Sequence, residues 1–512
     1  MTDNFCNDFK SYVETAINIY DIMAAACKMV FPFEPYDRLT SDNALNGIVS
    51  GYSEQYNIVS AFIDLKEKLY EWTDQQKSID RNGFKKKLFC LVRLIDIKCV
   101  KFSKASLPNP YIQYSSLNSL FQDEIIILPR YQTSAIEILS AAISEKEKKR
   151  GREKHGFFGN NYDRTANISG YLHNFIVYDN DKSLIKPKMN ILNKDGEIKN
   201  EFRQNGYKLK IGIFPLSNVN LRQIFKLNEE DIDTEGLFSL ESRYPEQEYL
   251  IFERCKEALE ICRDKRVDIV VFPEMLFTKK NQDAIADFIK INQEEDRRFP
   301  WFTWLGTSWE HRVNKCMVID QYGKKVFEQK KYVPYEYKKI VPQKGKITYV
   351  ENLIHDEDWT VNFLDIPGIF RIATAICRDI SSGPLRDSIT KLYTDMVVIP
   401  AFSNSDRMTL KHIDPIVREK MIALVCNACS SLCGESQDKF LVNEEEIEMG
   451  KEHTFCFLCM PAKCEKHNEP DYYNVRYDSA CTECERRCKG YVWEISFSEC
   501  ITKGDLLAAK VI

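Results

Sequence analysis

The sequence lacks the features that direct a chain into or across a membrane. Residues 1–8 (MTDNFCND) contain neither the basic segment nor the apolar segment of a secretory signal peptide. No stretch approaches the ~20 uninterrupted apolar residues that a transmembrane helix needs. We therefore expect no membrane partner and a cytoplasmic location for this chain of 512 residues.

The chain also lacks a large excess of charge of either sign. Its net charge is -5, and its charged and apolar fractions of 29% and 44% are ordinary for a globular protein. Such a charge gives no whole-chain attraction to nucleic acid, so any such contact would be local. One basic run, residues 145–155 (EKEKKRGREKH), is interpreted as a solvated helix end and linker, with local phosphate binding as the alternative.

Cysteine, by contrast, is abundant, with 18 residues in the chain. Without an export signal, these cysteines indicate reduced thiols or metal ligands rather than disulfides. Two C-x-x-C pairs, separated by 21 residues, have nearly the spacing of a four-cysteine zinc site. We expect structural zinc on Cys456, Cys459, Cys481 and Cys484, and the alternative is a set of buried, reduced cysteines on strand edges.

The spacing of hydrophobic residues divides the chain into a region with a helical pattern and a region in which strand and helix patterns alternate. Residues 1–155 carry apolar side chains every three or four positions, beginning near Phe9, Ile58 and Phe84, which predicts a helical domain. Residues 156–206 are rich in Asn, Asp, Tyr and Gly and are expected to form a connecting segment with short strands. From 207 to 512, short β-branched runs alternate with amphipathic stretches, which indicates a layered α/β domain.

Three segments of this second region each end a predicted strand in a reactive side chain. Residues 266–274 (RVDIVVFPE) end in Glu274, and residues 323–331 (GKKVFEQKK) end in a pair of lysines. Residues 370–379 (FRIATAICRD) carry Cys377 to a strand end that a turn follows. A carboxylate, an ammonium and a thiol, in that order, make a complete covalent catalyst for acyl-type carbons.

These motifs resemble the nitrilase, or carbon–nitrogen hydrolase, superfamily, whose catalytic set is Glu, Lys and Cys in that chain order. The resemblance covers about residues 207–512 and includes further blocks in the right order: 210–215, 305–308, 314–323, 395–401 and 418–427. It implies a four-layer α-β-β-α sandwich and a homo-oligomer. Typical members lack the cysteine cluster, so residues 434–490 are interpreted as an insertion.

The resemblance also implies a role for each reactive residue. Cys377 attacks the carbon of a small-molecule amide or nitrile, and Glu274 is the base. Lys331 stabilises the oxyanion together with the backbone N–H of Arg378, and water hydrolyses the thioester. Spacing from Gly323 favours Lys331 as the catalytic lysine.

Some assignments stay open at this point. Spacing read back from the proline at 334 favours Lys330 over Lys331. Glu336 is a candidate for the second glutamate that many members use to orient the lysine. Arg378 is expected to form an ion pair with Asp379, and recognition of an acidic substrate is the alternative.

The sequence thus predicts a thiol-dependent carbon–nitrogen hydrolase, more often an amidase than a nitrilase because amide substrates dominate the superfamily. No cofactor is expected for catalysis. The alternative is a catalytically silent scaffold with the same fold. It would bind a protein or nucleic-acid partner through its N-terminal domain and zinc insertion.

Overall fold

The computed structural model of the protein divides the chain into two compact units. The first unit is Met1–Thr133 and Glu153–Leu184 with Lys391–Tyr393, and the second is Ser134–Arg152, Ile185–Thr390 and Thr394–Ile512. The structure describes residues 2–30, 42–53, 58–98, 124–129, 172, 175–180, 183–192, 197–216, 225–232, 235–242, 245–294, 297–354, 358–366, 369–403, 411–413, 421–428, 454–460, 471–476, 490–496 and 508–511.

The first unit is mainly helical, as the sequence predicts. Its described elements are α1 (Thr2–Thr15), α2 (Ile19–Val30), α3 (Asn43–Ser53), α4 (Ile58–Asp74), α5 (Arg81–Lys98), β1 (Ile125–Pro129) and β2 (Phe175–Asp179). The two strands pair antiparallel. Apolar residues from all five helices and both strands form one buried core.

The boundary between α1 and α2 departs from the sequence pattern, which continues without a break from Phe9 to residue 30. The Asn18 side chain accepts hydrogen bonds from the N–H groups of Tyr20 and Asp21, and the Asp21 carboxylate accepts from the N–H groups of Ile17 and Asn18. This reciprocal cap starts a new helix, because short polar side chains compete with the helical backbone for hydrogen bonds. Ile17 consequently lies outside the core, 71% exposed.

The second unit contains most of the strands. Its elements up to the second sheet's first hairpin are β3 (Ile185–Ile191), α6 (Glu197–Gln204), β4 (Lys208–Ile213), β5 (Phe225–Ile232), β6 (Glu235–Ser242), α7 (Pro245–Asp264), β7 (Ile269–Val271), α8 (Lys279–Ile291), β8 (Phe302–Glu310), β9 (Val313–Asp320), β10 (Lys325–Lys330), β11 (Glu336–Val341), β12 (Gly345–Glu351), β13 (Trp359–Ile366) and β14 (Phe370–Thr374). There follow a 3-10 helix (Cys377–Ser381), α9 (Gly383–Lys391), β15 (Met396–Ala401), β16 (Ile422–Asn427), β17 (Thr454–Met460), β18 (Asp471–Arg476), β19 (Tyr491–Ser496) and β20 (Ala508–Val511). No helix in the described ranges is long and apolar enough to cross a membrane.

Two seven-stranded sheets form the centre of the second unit. Their strand orders are β10-β9-β8-β7-β4-β19-β20 and β18-β17-β16-β15-β14-β13-β3. The sheets face each other: the Trp304 indole on β8 donates to the Thr374 hydroxyl on β14, and the Cys426 thiol on β16 donates to the Phe214 carbonyl. The inner faces are therefore buried against one another, as in other face-to-face sheet packings.

Helices cover the outer faces. Residues of α7 and α8, among them Leu259 and Ile285, pack into a core with residues of the first sheet. Helix α9 connects the parallel strands β14 and β15, which places it on the face of the second sheet that the first sheet does not cover. The four-layer α-β-β-α sandwich expected from the sequence is confirmed.

A four-stranded sheet, β11-β12-β6-β5, adds to this sandwich and is absent from the sequence-based expectation. Strands β11 and β12 form a hairpin, and β12 pairs parallel with β6. The sheet matters for the site because Glu351 is the last residue of β12.

Two stretches contribute more to the second unit than the sequence suggests. Strand β3 and helix α6 lie in residues 156–206, interpreted above as a connecting segment, yet β3 pairs along its whole length with β13. Strands β17 and β18 lie in residues 434–490, interpreted above as an insertion, and they extend the second sheet beyond β16. Short strands were expected in the first stretch, but the sheet edge with which each stretch pairs is not revealed by the local sequence.

We predict that Gly306→Ala destabilises the protein more than Gly345→Ala. Both glycines have positive φ, +56° and +81°, so alanine adds a similar backbone strain of ~1–2 kcal/mol at each position. At Gly306, a bulge in β8, the new Cβ would also lie 2.1 Å from the Pro273 carbonyl oxygen, whereas at Gly345 nothing lies within 4 Å. Chemical denaturation should show an additional loss of ~1–3 kcal/mol for Gly306→Ala. Equal losses for the two variants would contradict this close approach.

Candidate active site

Glu274 lies where the two large sheets meet. It follows β7 by way of Phe272 and Pro273, and its side chain is completely buried. The Glu274 N–H donates to the Ala401 carbonyl at 3.3 Å, and Glu274 Oε2 accepts from the Phe402 N–H at 3.0 Å. The carboxylate is therefore attached to the first sheet by its chain and to the second sheet by hydrogen bonds.

Lys331 directly follows β10 and reaches the same point. Its backbone N–H donates to the Asn314 carbonyl at 2.8 Å. Its Nζ donates to Glu274 Oε1 at 2.7 Å and to Glu351 Oε2 at 2.6 Å, and all three side chains are fully buried. Lys330, the last residue of β10, is only partly buried. The structure therefore brings Lys331, rather than Lys330, to Glu274.

Glu351 is the second glutamate beside the lysine, and the assignment of that role to Glu336 is wrong. Glu336 is exposed and forms an ion pair with Arg378 at 3.2 Å. Glu351 Oε2 accepts from the Tyr335 N–H at 2.9 Å as well as from Lys331. The sequence does carry a signal for it. Ile347, Tyr349 and Glu351 alternate along β12 and are all buried, which places a carboxylate on the apolar face of the strand.

Asn314 completes the buried polar cluster and was not singled out by its sequence. It lies on β9, next to β10 in the first sheet. Its Nδ2 donates to Glu274 Oε1 at 3.0 Å and to Glu351 Oε1 at 3.1 Å. One ammonium and one amide thus share two carboxylates.

Cys377 enters the cluster from the end of β14. It begins the 3-10 helix with φ of +46°, a left-handed conformation that a residue with a Cβ rarely adopts. Its side chain is 6% exposed. The Glu274 carboxylate raises the pKa of this thiol, and the Lys331 ammonium and the Phe402 N–H lower it, so the sulfur lies beside all three groups. Backbone strain of this kind, ~1–3 kcal/mol, persists where the surrounding structure fixes it and is concentrated at functional sites.

Asp379 ties the cysteine segment to the lysine segment, and the expected Arg378–Asp379 ion pair is wrong. Asp379 Oδ1 accepts from the N–H groups of Tyr332 and Val333 at 2.9 and 2.7 Å, and Oδ2 accepts from Ile376 at 3.3 Å. The Arg378 guanidinium instead donates to the Pro334 carbonyl and pairs with a glutamate. The aspartate is buried and turned inward, whereas the arginine beside it lies at the surface.

The electrostatics follow from burial and from the sharing of one cation. Burial raises the pKa of Glu274, and the nearby Glu351 adds to the increase while Lys331 opposes it. Burial likewise raises the pKa of the Cys377 thiol, again with Glu274 adding and Lys331 opposing. Burial opposes the charged form of Lys331, but the two carboxylates outweigh it and raise the pKa of the lysine. Lys331 is therefore a permanent cation, and Glu274 and Cys377 are the groups between which a proton can move.

The residues of the expected zinc site divide between described and undescribed parts of the chain. Positions 456–459 lie in one uninterrupted run of pairing between β17 and β16. A paired strand is extended, so the backbone from Cys456 to Cys459 does not form the tight turn with which such a pair holds one tetrahedral ion. Cys481 and Cys484 lie outside the described residues, and structural zinc stays a prediction. Within the described ranges, no group of three or more His, Cys, Asp and Glu could hold a metal ion.

No family model matches the chain, and no curated protein matches it. Solved structures are similar to it at low identity. Nit3 from Saccharomyces cerevisiae, a member of branch 10 of the nitrilase superfamily, is 11% identical with a TM-score of 0.30, over 54% of this chain and 92% of that one. An amidase from Nesterenkonia sp. is 11% identical with a TM-score of 0.33, over 55% of this chain and 93% of that one.

The glutamine-dependent NAD+ synthetase from Acinetobacter baumannii is 13% identical with a TM-score of 0.32, over 56% of this chain and 45% of that one. About half of the chain is thus similar to solved nitrilase-superfamily structures.

We predict a pH dependence of stability that originates at Asp379. Burial raises the pKa of its carboxyl group from 3.8 to about 7, although hydrogen bonds from Val333 and Tyr332 oppose the increase. The folded protein then holds this proton where the unfolded chain has released it. The stability that Asp379 contributes is therefore present below pH 3.8 and is lost as the pH rises through about 7, with a slope of up to ~1.4 kcal/mol per pH unit.

The measurement is the free energy of unfolding of the wild type and of Asp379→Asn. It is made in steps of about one pH unit from about pH 5 to about pH 9, on both sides of this pKa. Subtracting the free energy of unfolding of the variant from that of the wild type removes the pH dependence that comes from the other titrating groups, which both proteins contain. The difference should fall towards neutral pH and become constant above it. A difference that is independent of pH would show that Asp379 is ionised in the folded protein throughout.

Proposed function

We propose that this protein is a thiol-dependent carbon–nitrogen hydrolase that acts through Glu274, Lys331 and Cys377. One observation carries the proposal: three side chains from the ends of β7, β10 and β14 meet in one buried cluster, in which the lysine donates a hydrogen bond to the glutamate. An ion pair needed only for stability has no reason to include a thiol held in a strained backbone conformation. The order of the motifs and their resemblance to the nitrilase superfamily support the same chemistry.

In the proposed reaction, Cys377 Sγ attacks the substrate carbon while Glu274 takes the thiol proton. The electron pair of the C=O bond moves to the oxygen, and Lys331 stabilises the resulting oxyanion with the backbone N–H of Arg378. Loss of one such donor typically slows this kind of step ~100-fold to ~1000-fold. Lys331 has an N–H to offer, because Glu274 and Glu351 take two of its three hydrogens.

Collapse of the tetrahedral intermediate breaks the C–N bond. Glu274 returns its proton to the departing nitrogen, so ammonia or an amine leaves and a thioester remains on Cys377. Water then attacks the thioester, with Glu274 again accepting a proton, and the thiolate that leaves is reprotonated. The raised pKa of Glu274 suits this double role as base and acid, because its carboxyl group holds a proton more readily than an exposed glutamate.

We assign small-molecule amides as the first substrate class and nitriles as the second, following the resemblance. The scaffold alternative is less favoured because the three reactive residues are not merely present but lie together in one buried cluster. A partner for the N-terminal domain and a homo-oligomer stay predictions, and the basic run at 145–155 lies outside the described residues.

We expect iodoacetamide to alkylate Cys377 faster than the half-buried Cys90, although Cys377 is the more buried of the two. Glu274→Gln and Lys331→Ala should each slow the reaction at Cys377 by at least ~10-fold, because the first removes the base that takes the thiol proton and the second removes the cation that favours the thiolate. Peptide mass mapping gives the rate cysteine by cysteine. Lys330→Ala is the matched control, since it removes the neighbouring lysine from outside the cluster and should leave the rate unchanged.

If Cys377 reacts no faster than Cys90 and is insensitive to Glu274→Gln, the nucleophile is not activated and the scaffold alternative gains support. Equal effects of Lys330→Ala and Lys331→Ala would contradict the assignment of the lysine.

Turnover provides a direct test of the reaction class. A panel of aliphatic and aromatic amides, with the matching nitriles beside it, is screened for ammonia release. The proposal predicts release from at least one compound and its complete loss in Cys377→Ala. Release that survives Cys377→Ala would assign the activity to another site or to a contaminant.

A further inference from the structure

We propose that Asn314 is a positioning residue that directs the Cys377 proton to one oxygen of Glu274, Oε2. This inference rests on the proposed function, because it assumes that Glu274 is the base. It concerns a side chain that hydrogen-bonds to the carboxylate of the base and acts through it.

The two oxygens of Glu274 have different surroundings. Oε1 accepts from Lys331 Nζ at 2.7 Å and from Asn314 Nδ2 at 3.0 Å. A carboxylate oxygen has two lone pairs, so these two donors fill Oε1. Oε2 accepts from the Phe402 N–H at 3.0 Å and retains one lone pair for the thiol proton.

The orientation of the Asn314 amide is fixed by its two acceptors. One hydrogen of Nδ2 goes to Glu274 and the other to Glu351 Oε1 at 3.1 Å. Rotating the amide by half a turn would aim its oxygen at two carboxylates, which is repulsive. The backbone holds the residue in place, because the Asn314 carbonyl accepts from the N–H of Lys331.

This orientation leaves a buried acceptor unused. Asn314 is fully buried, and its Oδ1 accepts no hydrogen bond from any residue that the structure describes. An unpaired buried oxygen destabilises the fold, so such groups are rare and call for a specific explanation. Here the explanation is that both N–H groups are committed to carboxylates, one of which is the proposed base.

Without Asn314, Glu274 would lose one of the donors that favour its ionised form. The pKa of Glu274 should then rise further, because a hydrogen bond to the charged form of an acid lowers its pKa. Oε1 would also regain an open lone pair, so that a proton could settle on the oxygen that Lys331 contacts instead of on Oε2.

The test is the pH dependence of Cys377 alkylation by iodoacetamide in the full-length protein. In the wild type the rate should rise along an acid limb set by Glu274. Asn314→Ala should move the midpoint of that limb upward by about one pH unit, the effect of losing one charge-assisted hydrogen bond. Asn314→Asp, which keeps the size of the side chain but replaces a donor with a carboxyl group, should move it at least as far. If Asn314→Ala does not fold, the measurement on Asn314→Asp decides the outcome.

Asn362→Ala is the matched control. Asn362 is a buried asparagine of the same unit, on β13, whose amide donates to the Glu328 carbonyl and to Gln329 Oε1. Its removal should leave the midpoint in place even if it lowers stability.

A uniform loss of rate in the Asn314 variants, with the midpoint unchanged, would overturn the inference and reduce Asn314 to a packing role. The proposed function fails in a different way: the wild type would then show the same profile as Glu274→Gln, with no acid limb attributable to Glu274. That second result would overturn both proposals, whereas the first leaves the proposed function intact.

Discussion

The site depends on one buried ammonium, that of Lys331, held between two carboxylates. Transferring an ion from water to a protein interior costs several kcal/mol, and the cost is recovered only when good geometry and additional hydrogen bonds surround the charge. Glu274 and Glu351 supply the opposite charges at 2.7 and 2.6 Å. Asn314, Tyr335 and Phe402 supply N–H donors to the carboxylates. Removing either carboxylate would change the net charge of the cluster. It would also change the group on which the mobile proton resides.

The residues around this ammonium explain why the side chains of the cluster lie so close to one another. The bulge at Gly306 lets β8 pass against Pro273, directly before Glu274. The Asp379 carboxylate takes N–H groups from the residues that follow Lys331 and from the residue before Cys377. Lysine and thiol are therefore positioned relative to each other by one buried side chain. A displacement of any of these segments would change several short distances at once.

The predictions from the sequence agree best with the structure where the position of a side chain is set by the strand that carries it. Glu274, Lys331 and Cys377 each end a predicted strand, and a strand end that faces a loop can be recognised from the local pattern. Glu336 and Arg378 were misassigned for the opposite reason. Each was paired with a residue close in the chain, whereas Glu351 reaches the lysine from the far strand of a hairpin and Arg378 turns towards the surface. The break at Asn18 likewise depended on a local cap that apolar spacing does not encode.

By itself, the sequence determined the class of fold, the order of the three reactive groups and the helical character of the first unit. These properties follow from hydrophobic period and residue type, which act over a few positions. Only the tertiary structure decided which glutamate shares the lysine, that Asn314 joins both carboxylates, and that Asp379 ties two segments together. It also paired residues 456–459 of β17 with β16, where the Cys456–Cys459 spacing alone suggested a metal-binding turn. The physical reason is that such contacts join residues far apart in the chain, and their partners are set by strand register and by the facing of two sheets.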